Sequence, residues 1–309
     1  MMDFFRFGTF GIENLSSRGR TLTSVMKEII LAIIACWFSC IIPVQGQDVQ
    51  NSLHFDGVND YAQSSYQGIA GTQARTVEAW IKTTANADPN NGGLQKVICD
   101  WGTFVTGGRF TFNVLWNNAI RLEVGGNGVS GTIPVNDGQW HHVAGVYDPS
   151  AVNKVKLYVD GVLDTEGNFT VTMNTVLGTD VRLGRRVDDV NFFQGQIDEV
   201  RVWGLARSQE DIAADMNAEF CDLPQALQLY YTCNQGEPGG LNVGENTLVD
   251  GSGFGNDASL INFNLFGVSS NYLEGAQLGV GITTTDIQVD ACESYYWDDT
   301  DVTYTESGE

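Results

Sequence analysis

From Ser52 to about Val202 the chain alternates short apolar runs with clusters of Gly, Asn, Asp and Pro. The runs "SLHFDGVNDYAQ", "RTVEAWIKT", "RFTFNVLW", "AIRLEVGG", "WHHVAGVYD", "KVKLYVDGVLD", "DVRLGR" and "GQIDEVRVW" are rich in β-branched and aromatic residues, the composition of half-buried strands. Strands this short and regular, with no helices between them, predict an all-β fold of two antiparallel sheets packed as a sandwich. Asp160-Gly161 separates two alternating runs and predicts a two-residue hairpin turn. The polar stretches "ANADPNNGG" and "GGNGVSG" predict loops at the ends of the sandwich. The pattern then changes period. Ser208 with Asp211 three residues later makes a capping box ahead of "QEDIAADMNAEF", which predicts one short C-terminal helix closing an edge of the domain.

Length and composition leave room for a real core: 309 residues, 42% hydrophobic and only 17% charged. Charge narrows the partners. Lys and Arg number 16 against 38 Asp and Glu, a formal net charge of -22, and no Lys or Arg follows Arg207. Such a surface repels a phosphate backbone, so nucleic acid is not an expected partner.

The N-terminal region reads as a targeting segment. "MKEIILAIIACWFSCIIPVQGQD", from Met26, has a lysine, an apolar run from Ile29 to Val44, and Val44 and Gly46 placed for signal-peptidase cleavage. The true start is then expected at Met26 and the mature chain after Gly46. The apolar run is shorter than the ~20 residues a spanning helix needs, so no stable membrane span is expected once the signal is cleaved. "IIAC", Ile33 to Cys36, loosely fits a lipid-attachment pattern, but the apolar run continues past the cysteine. Export permits disulfides among Cys99, Cys221, Cys233 and Cys292. None has CxxC spacing, which argues against zinc. Cys221 and Cys233 flank a short turn region and are the pair expected to bridge.

The motifs "LHFDGVNDY", "TVEAWIKT", "GQWHHVAGVYD", "VKLYVDG" and "GQIDEVRVW" with "LARSQEDI" occur in order between about Ser52 and Asn217. Together they resemble the laminin-G-like jelly-roll domain of the concanavalin A-like lectin/glucanase superfamily, as found in bacterial secreted and surface proteins. The resemblance implies a jelly-roll sandwich used for carbohydrate or protein recognition, secreted or at the cell surface. "LQLYYTCNQG", "LVDGSGFGNDASLINF" and "SSNYLEG" resemble a segment that accompanies this jelly roll in bacterial relatives. Leu227 to Asn234 and Ala258 to Phe263 are therefore expected to be strands packed on the same sandwich, and the likeness adds support to the Cys221–Cys233 bridge. "ACESYYWDDTDVTYTESG" resembles the start of a short β repeat of surface-protein stalks, without the second cysteine that would partner Cys292. The implied organisation is an extension plus signal peptide over 1–46, the jelly roll over 47–220 and an accessory β segment over 221–275. A linker and the start of a truncated repeat follow over 276–309.

Candidate chemistry is sparse. His141 and His142 are adjacent on a strand, so they face opposite sides and cannot share a metal; one is expected to be a buried structural histidine. The superfamily's glucanases carry a Glu-x-Asp-x-Glu run, which is missing here, and the nearest carboxylates, Asp198 and Glu199, are expected on opposite faces. Enzymatic activity is not expected; a glycoside hydrolase using other carboxylates, or a purely structural spacer, are the alternatives. Asp56, Asn59 and Asp60 in "FDGVND", with Asp198 on what the implied fold makes a neighbouring strand, either hold a structural calcium ion or only shape turns and hydrogen bonds. Trp80, Trp116, Trp140 and Trp203 lie in strand patterns and are expected in the core, while Trp101, in the irregular "CDWGTFVTGG", is expected to be exposed. Arg185, Arg186, Asp188, Asp189 and Asn191 form a polar loop that, with Trp101, would contact a glycan or extracellular protein ligand, or else is a solvated loop with internal ion pairs.

Overall fold

The computed structural model describes residues 50–87, 95–220 and 223–278, and the backbone of two further strands. The expected signal peptide, Cys221 and Cys292 lie outside the described residues. The chain forms β1 (Asn51–Asp56), β2 (Tyr61–Ser64), β3 (Arg75–Lys82), β4 (Gln95–Gly102), β5 (Arg109–Leu115), β6 (Ala119–Glu123), β7 (Gly128–Pro134) and β8 (Trp140–Tyr147). These are followed by β9 (Val155–Val159), β10 (Val162–Gly167), β11 (Thr179–Leu183), β12 (Gln194–Trp203) and the helix α1 (Gln209–Asp215). Then come β13 (Leu227–Tyr231), β14 (Thr247–Leu248), β15 (Ala258–Ile261) and β16 (Asn271–Glu274). Beyond them β17 (Tyr295–Trp297) and β18 (Val302–Tyr304) pair as an antiparallel ribbon.

Two antiparallel sheets of eight strands each make the sandwich. The first runs β10-β9-β8-β3-β12-β1-β16, with β13 also on β12; the second runs β14-β15-β2-β11-β4-β5-β6-β7. Alternation along each strand fills the space between them. Leu53, Phe55, Val77, Ile81, Val143, Leu157, Ile197 and Val202 face Ile98, Trp101, Phe110, Phe112, Val114, Leu122 and Val181 in one continuous core. The Asp160-Gly161 hairpin forms as the sequence predicts, both residues at positive φ (51° and 74°), the conformation of a type I′ turn.

The strands after residue 226 complete both sheets. β13 pairs with β12, β15 with β2 and β16 with β1, and Leu229, Tyr231, Leu248, Leu260 and Tyr272 join the common core. A division at residue 220 therefore runs through a single sandwich. The long strand β12 makes this joining geometrically simple. One of its edges carries β1 along Gln194–Ile197 and β13 along Val200–Trp203, end to end.

Residues 204–220 cross the outer face of the first sheet as a strap. Ser208 caps α1, its side chain accepting from the Asp211 N–H in the predicted capping box. Ile212 is the buried residue of the helix, set on Ala144, Val146 and Tyr158. Polar anchors do much of the rest. Trp80 Nε1 donates to the Met216 carbonyl at 2.7 Å, Arg201 donates to the Asp215 carbonyl at 2.8 Å and to that of Ala218, and Arg207 bonds Glu78 at 3.0 Å and also Asp215. His142 is the buried histidine of the pair, 3.6 Å from Glu78 beneath this strap.

Candidate functional site

The outer face of the second sheet concentrates polar side chains. Along β5 the alternation sends Phe110, Phe112 and Val114 into the core, leaving Arg109, Thr111 and Asn113 on the opposite face. Register places Arg121 and Glu123 of β6 on one side of them and Gln95 and Asp100 of β4 on the other. Loop 184–193, between β11 and β12, then folds across this face. Its Val187 N–H donates to Asp100 Oδ2 at 2.6 Å, and Thr111 donates to Asp100 Oδ1 at 2.7 Å. Arg186 holds Asp188 through two bonds, 2.6 and 2.8 Å, and reaches Gln95 Oε1 at 3.1 Å. Glu123 receives Arg109, Arg121 and the Gln95 amide. The exposed ring of Phe104 rests 4.8 Å from the Arg109 guanidinium and 5.4 Å from that of Arg186.

One group in this array stands out energetically. Both amide atoms of the fully buried Asn113 have no hydrogen-bond partner among the described residues. A buried amide left unpaired costs roughly 1–3 kcal/mol, so such a position calls for a water or a ligand. The neighbouring charges are strongly biased. Burial pushes the Asp100 carboxyl up to about 7, with the Thr111 and Val187 hydrogen bonds and Arg109 and Arg186 acting against it. At Asp188 burial also opposes ionisation, but the hydrogen bonds and charge of Arg186 prevail and hold the carboxyl below its ordinary range.

The residues expected from sequence are distributed differently. Arg186, Asp188 and Asn191 do belong to this face, Asn191 donating weakly to Gln95 Oε1 at 3.4 Å. Arg185 stacks 3.5 Å from the Tyr61 ring centre and pairs with Asp189 at 2.8 Å. The loop is thus laced by its own ion pairs. Trp101 is not exposed: it is wholly buried, its indole donating to the Ile69 carbonyl at 3.2 Å and packing where Gly68, at φ 82°, has no side chain to obstruct it. The reverse holds for Trp116, expected in the core but 60% exposed at the β5–β6 turn. Trp203 is buried, and Trp80 and Trp140 are partly so. Gln95, Arg109, Asn113, Arg121 and Glu123 were not singled out from sequence. The signal was present in "RFTFNVL", whose polar residues alternate with its aromatics.

The four residues expected to bind calcium do not form one site. Asp56 Oδ1 accepts the N–H groups of Val58 and Asn59, shaping the turn. Asp60 accepts from the Asp56 N–H at 2.9 Å and from the Ser270 hydroxyl at 3.0 Å. Asp198 lies elsewhere, because Asp56 faces Gln194 across the ladder; four residues separate Gln194 from Asp198, roughly 13 Å of strand. Its oxygens are occupied by the N–H groups of Ala276 and Glu199. Asp198 and Glu199 also depart from the expected opposite-face arrangement. A bulge between Asp198 and Arg201, with Glu199 at φ 49°, interrupts the alternation, and both carboxylates lie on the strap side, Glu199 bonded to Arg201 and Tyr230. Cys233 is a buried thiol, free among the described residues and packed in the sandwich core; Cys221, its expected partner, lies outside the described residues.

Asp60 gives the fold a measurable pH dependence. Burial pushes its carboxyl up to about 6, from an ordinary value of 3.8. The native state therefore holds this proton to higher pH than the unfolded chain does. The stability linked to it is full below 3.8 and is lost as pH rises through about 6. Asp60→Asn is expected to remove that component. Urea midpoints at about pH 4.5 and about pH 7 should differ less in the variant than in the parent, and identical pH slopes would assign the titration to another group.

A model of the laminin G type 3 family, described as concanavalin A-like lectin/glucanases superfamily, matches residues 56–213. No curated protein sequence matches the chain. Among solved structures it is similar to a protein of Bacteroides ovatus provisionally assigned as carbohydrate binding, at 19% identity and a TM-score of 0.51, over 69% of this chain. The chain spans 58% of the length of that structure. It is also similar to the Ruminococcus gnavus IT-sialidase module CBM40 solved with α2,3-sialyllactose (16% identity, TM-score 0.43, 54% of this chain and 97% of that one). Domains LG4-5 of the mouse laminin α1 chain follow at 15% identity and a TM-score of 0.37, over 52% of this chain and 44% of that one. At these identities the likeness is one of fold. Among the described residues no helix is long and apolar enough to cross a membrane.

Proposed function

Because the chain belongs to the concanavalin A-like lectin/glucanase superfamily, matched over residues 56–213 of 309, we propose that it is a non-catalytic carbohydrate-recognition module of an exported cell-surface protein. The observation that carries this reading is the outer face of the second sheet, where the unpaired Asn113 amide lies among fixed guanidinium, amide and carboxylate groups beside the exposed Phe104 ring. A few oriented polar groups next to an aromatic surface are what a sugar ring requires, with hydroxyls on one side and an apolar C–H face on the other. Phe104 and Val105 of one loop and Val176 and Leu177 of the adjoining loop extend the apolar rim. Asn113 is fully buried opposite Arg121, so a ligand that reaches it must displace the groups that cover it.

The carboxylates support binding rather than hydrolysis. Asp100 and Glu123 are committed to hydrogen bonds and ion pairs. Asp198 is packed against the backbone of residues 275–276 and Glu199 is bonded to Arg201 and Tyr230, each carboxylate no more than 1% exposed. A glycan array probed with the protein, Phe104→Ala and Asn113→Leu tests the proposal. Phe104 is 57% exposed, so its removal should leave the fold intact, and Asn113→Leu replaces an unsatisfied amide by an apolar group of similar size. Either change is expected to weaken specific glycan binding about tenfold or more, the loss of about 1.4 kcal/mol. Signal insensitive to both variants would move the site off this face. Silence across the array would favour a protein ligand or a spacer role.

A further inference from the structure

The first sheet carries a second polar surface that the recognition face does not use. Register aligns His54 of β1, Gln196 of β12, Lys82 of β3 and Trp140 of β8 in one cross-strand row on its outer side, beyond the end of the strap. They point away from the core because their neighbours Phe55, Ile197 and Ile81 point into it. His54, Lys82, Thr83, Thr84, Gly138, Gln194, Gly195 and Gln196 line an open pocket of about 210 Å³. Its floor depends on glycine. A side chain at Gly195, which sits at φ 134°, would come within 2.4 Å of the Lys82 carbonyl.

Two donors in this pocket are uncommitted. The Ser270 N–H donates to His54 Nδ1 at 3.2 Å, so Nδ1 acts as an acceptor and the ring proton resides on Nε2. Burial lowers the His54 pKa, which keeps that neutral tautomer in place. Lys82 has no carboxylate within salt-bridge distance among the described residues, although acidic side chains outnumber basic ones 38 to 16 in this chain. Its ammonium instead lies 5.9 Å from the centre of the Trp140 ring, within range of a cation–π contact. Gln196 is already spent on Ser52 and the Glu274 carbonyl, which fixes the wall between the two donors.

We propose that this pocket is a second ligand site that takes a sugar ring bearing a single oxyanion, the charge meeting Lys82 and His54 Nε2–H and the ring lying toward Trp140. An ammonium without a counter-charge, on a partly exposed side chain, favours an anion, and the volume suits one ring rather than an extended chain. The site is independent of the recognition face, from which the sandwich core separates it.

Titration calorimetry with the protein decides the matter, using trigalacturonate, a galactose trisaccharide carrying one sulfate ester, and the unmodified galactose trisaccharide. At least one of the two acidic probes is expected to bind, at least tenfold more tightly than the neutral one, and more weakly as salt rises. Which acid binds distinguishes a carboxylate from a sulfate ligand. Lys82→Gln, on a partly exposed side chain that keeps most of its aliphatic stem, should weaken the acidic probe at least tenfold while leaving the melting temperature unchanged. Asn113→Leu should leave it bound. Equal affinity for the neutral probe, undiminished binding in Lys82→Gln, or no binding of either acid overturns the proposal.

Discussion

A chain cut after Asn217 is expected to lose cooperative folding, even though the cut falls beyond the family match. It would strip β13 and β16 from the first sheet and β14 and β15 from the second. Leu229, Tyr231, Leu248, Leu260 and Tyr272 would leave the core. At about 2 kcal/mol each these five side chains represent on the order of 10 kcal/mol of burial, comparable with the whole stability of a typical domain. The edges of β1, β2 and half of β12 would also be bared, giving open ladders that invite aggregation. A chain ending at 278 should show a single urea transition and a protease-resistant core, and the one ending at 217 neither. A stable fragment ending near Asn217 in limited proteolysis would refute this and restore the strands after residue 226 to the status of an accessory.

Arg201→Met should be the most damaging single substitution under the strap, costing about 3–5 kcal/mol. Arg201 is 1% exposed and bonds Glu199 at 2.6 Å, while its plane covers the Phe220 ring at 4.6 Å. Methionine can replace the packing but not the charge. Glu199 would be left buried against Tyr230 with no cation. Burial already pushes its carboxyl up to about 7, with Arg201 the chief opposing influence. The double variant Arg201→Met with Glu199→Leu should therefore recover much of the loss, a non-additivity that reads out the coupling directly. Urea denaturation of the four proteins measures it. A single-variant loss below about 1 kcal/mol would mean that the pair is dispensable and that the strap is held by Trp80, Ile212 and the Arg207–Glu78 contact instead.

These two expectations mark where the sequence was legible and where it was not. Local chemistry read directly: the alternating strands, the Asp160-Gly161 turn and the Ser208 capping box depend on residues within a few positions of each other. Phase was harder. The register shift between Val97 and Cys99 turns Trp101 inward, although "CDWGTFVTGG" reads as irregular and exposed. The bulge at Glu199 likewise places Asp198 and Glu199 on the same side. A bulge leaves almost no compositional trace, yet it reverses every side chain after it. Long-range pairing was harder still. Asp56 and Asp198 do lie on neighbouring strands, but only the register between β1 and β12 shows that they sit several residues apart along the ladder. The polar face of the second sheet could have been read from Arg109, Thr111 and Asn113. The folding of loop 184–193 across it, which buries Asp100 and Gln95, could not.

The pairing of β1 with β16 has a mechanical consequence. The two strands run antiparallel with Asn51 opposite Glu274, so the backbone enters and leaves the sandwich at adjacent points on one edge. A tensile load applied across those points would pull at the end of the ladder and rupture its hydrogen bonds in succession, as a zip opens, rather than shear them all together. The domain would then yield at low force from that edge, releasing slack while the opposite strands still held, and would behave in a tethered chain as an extensible link.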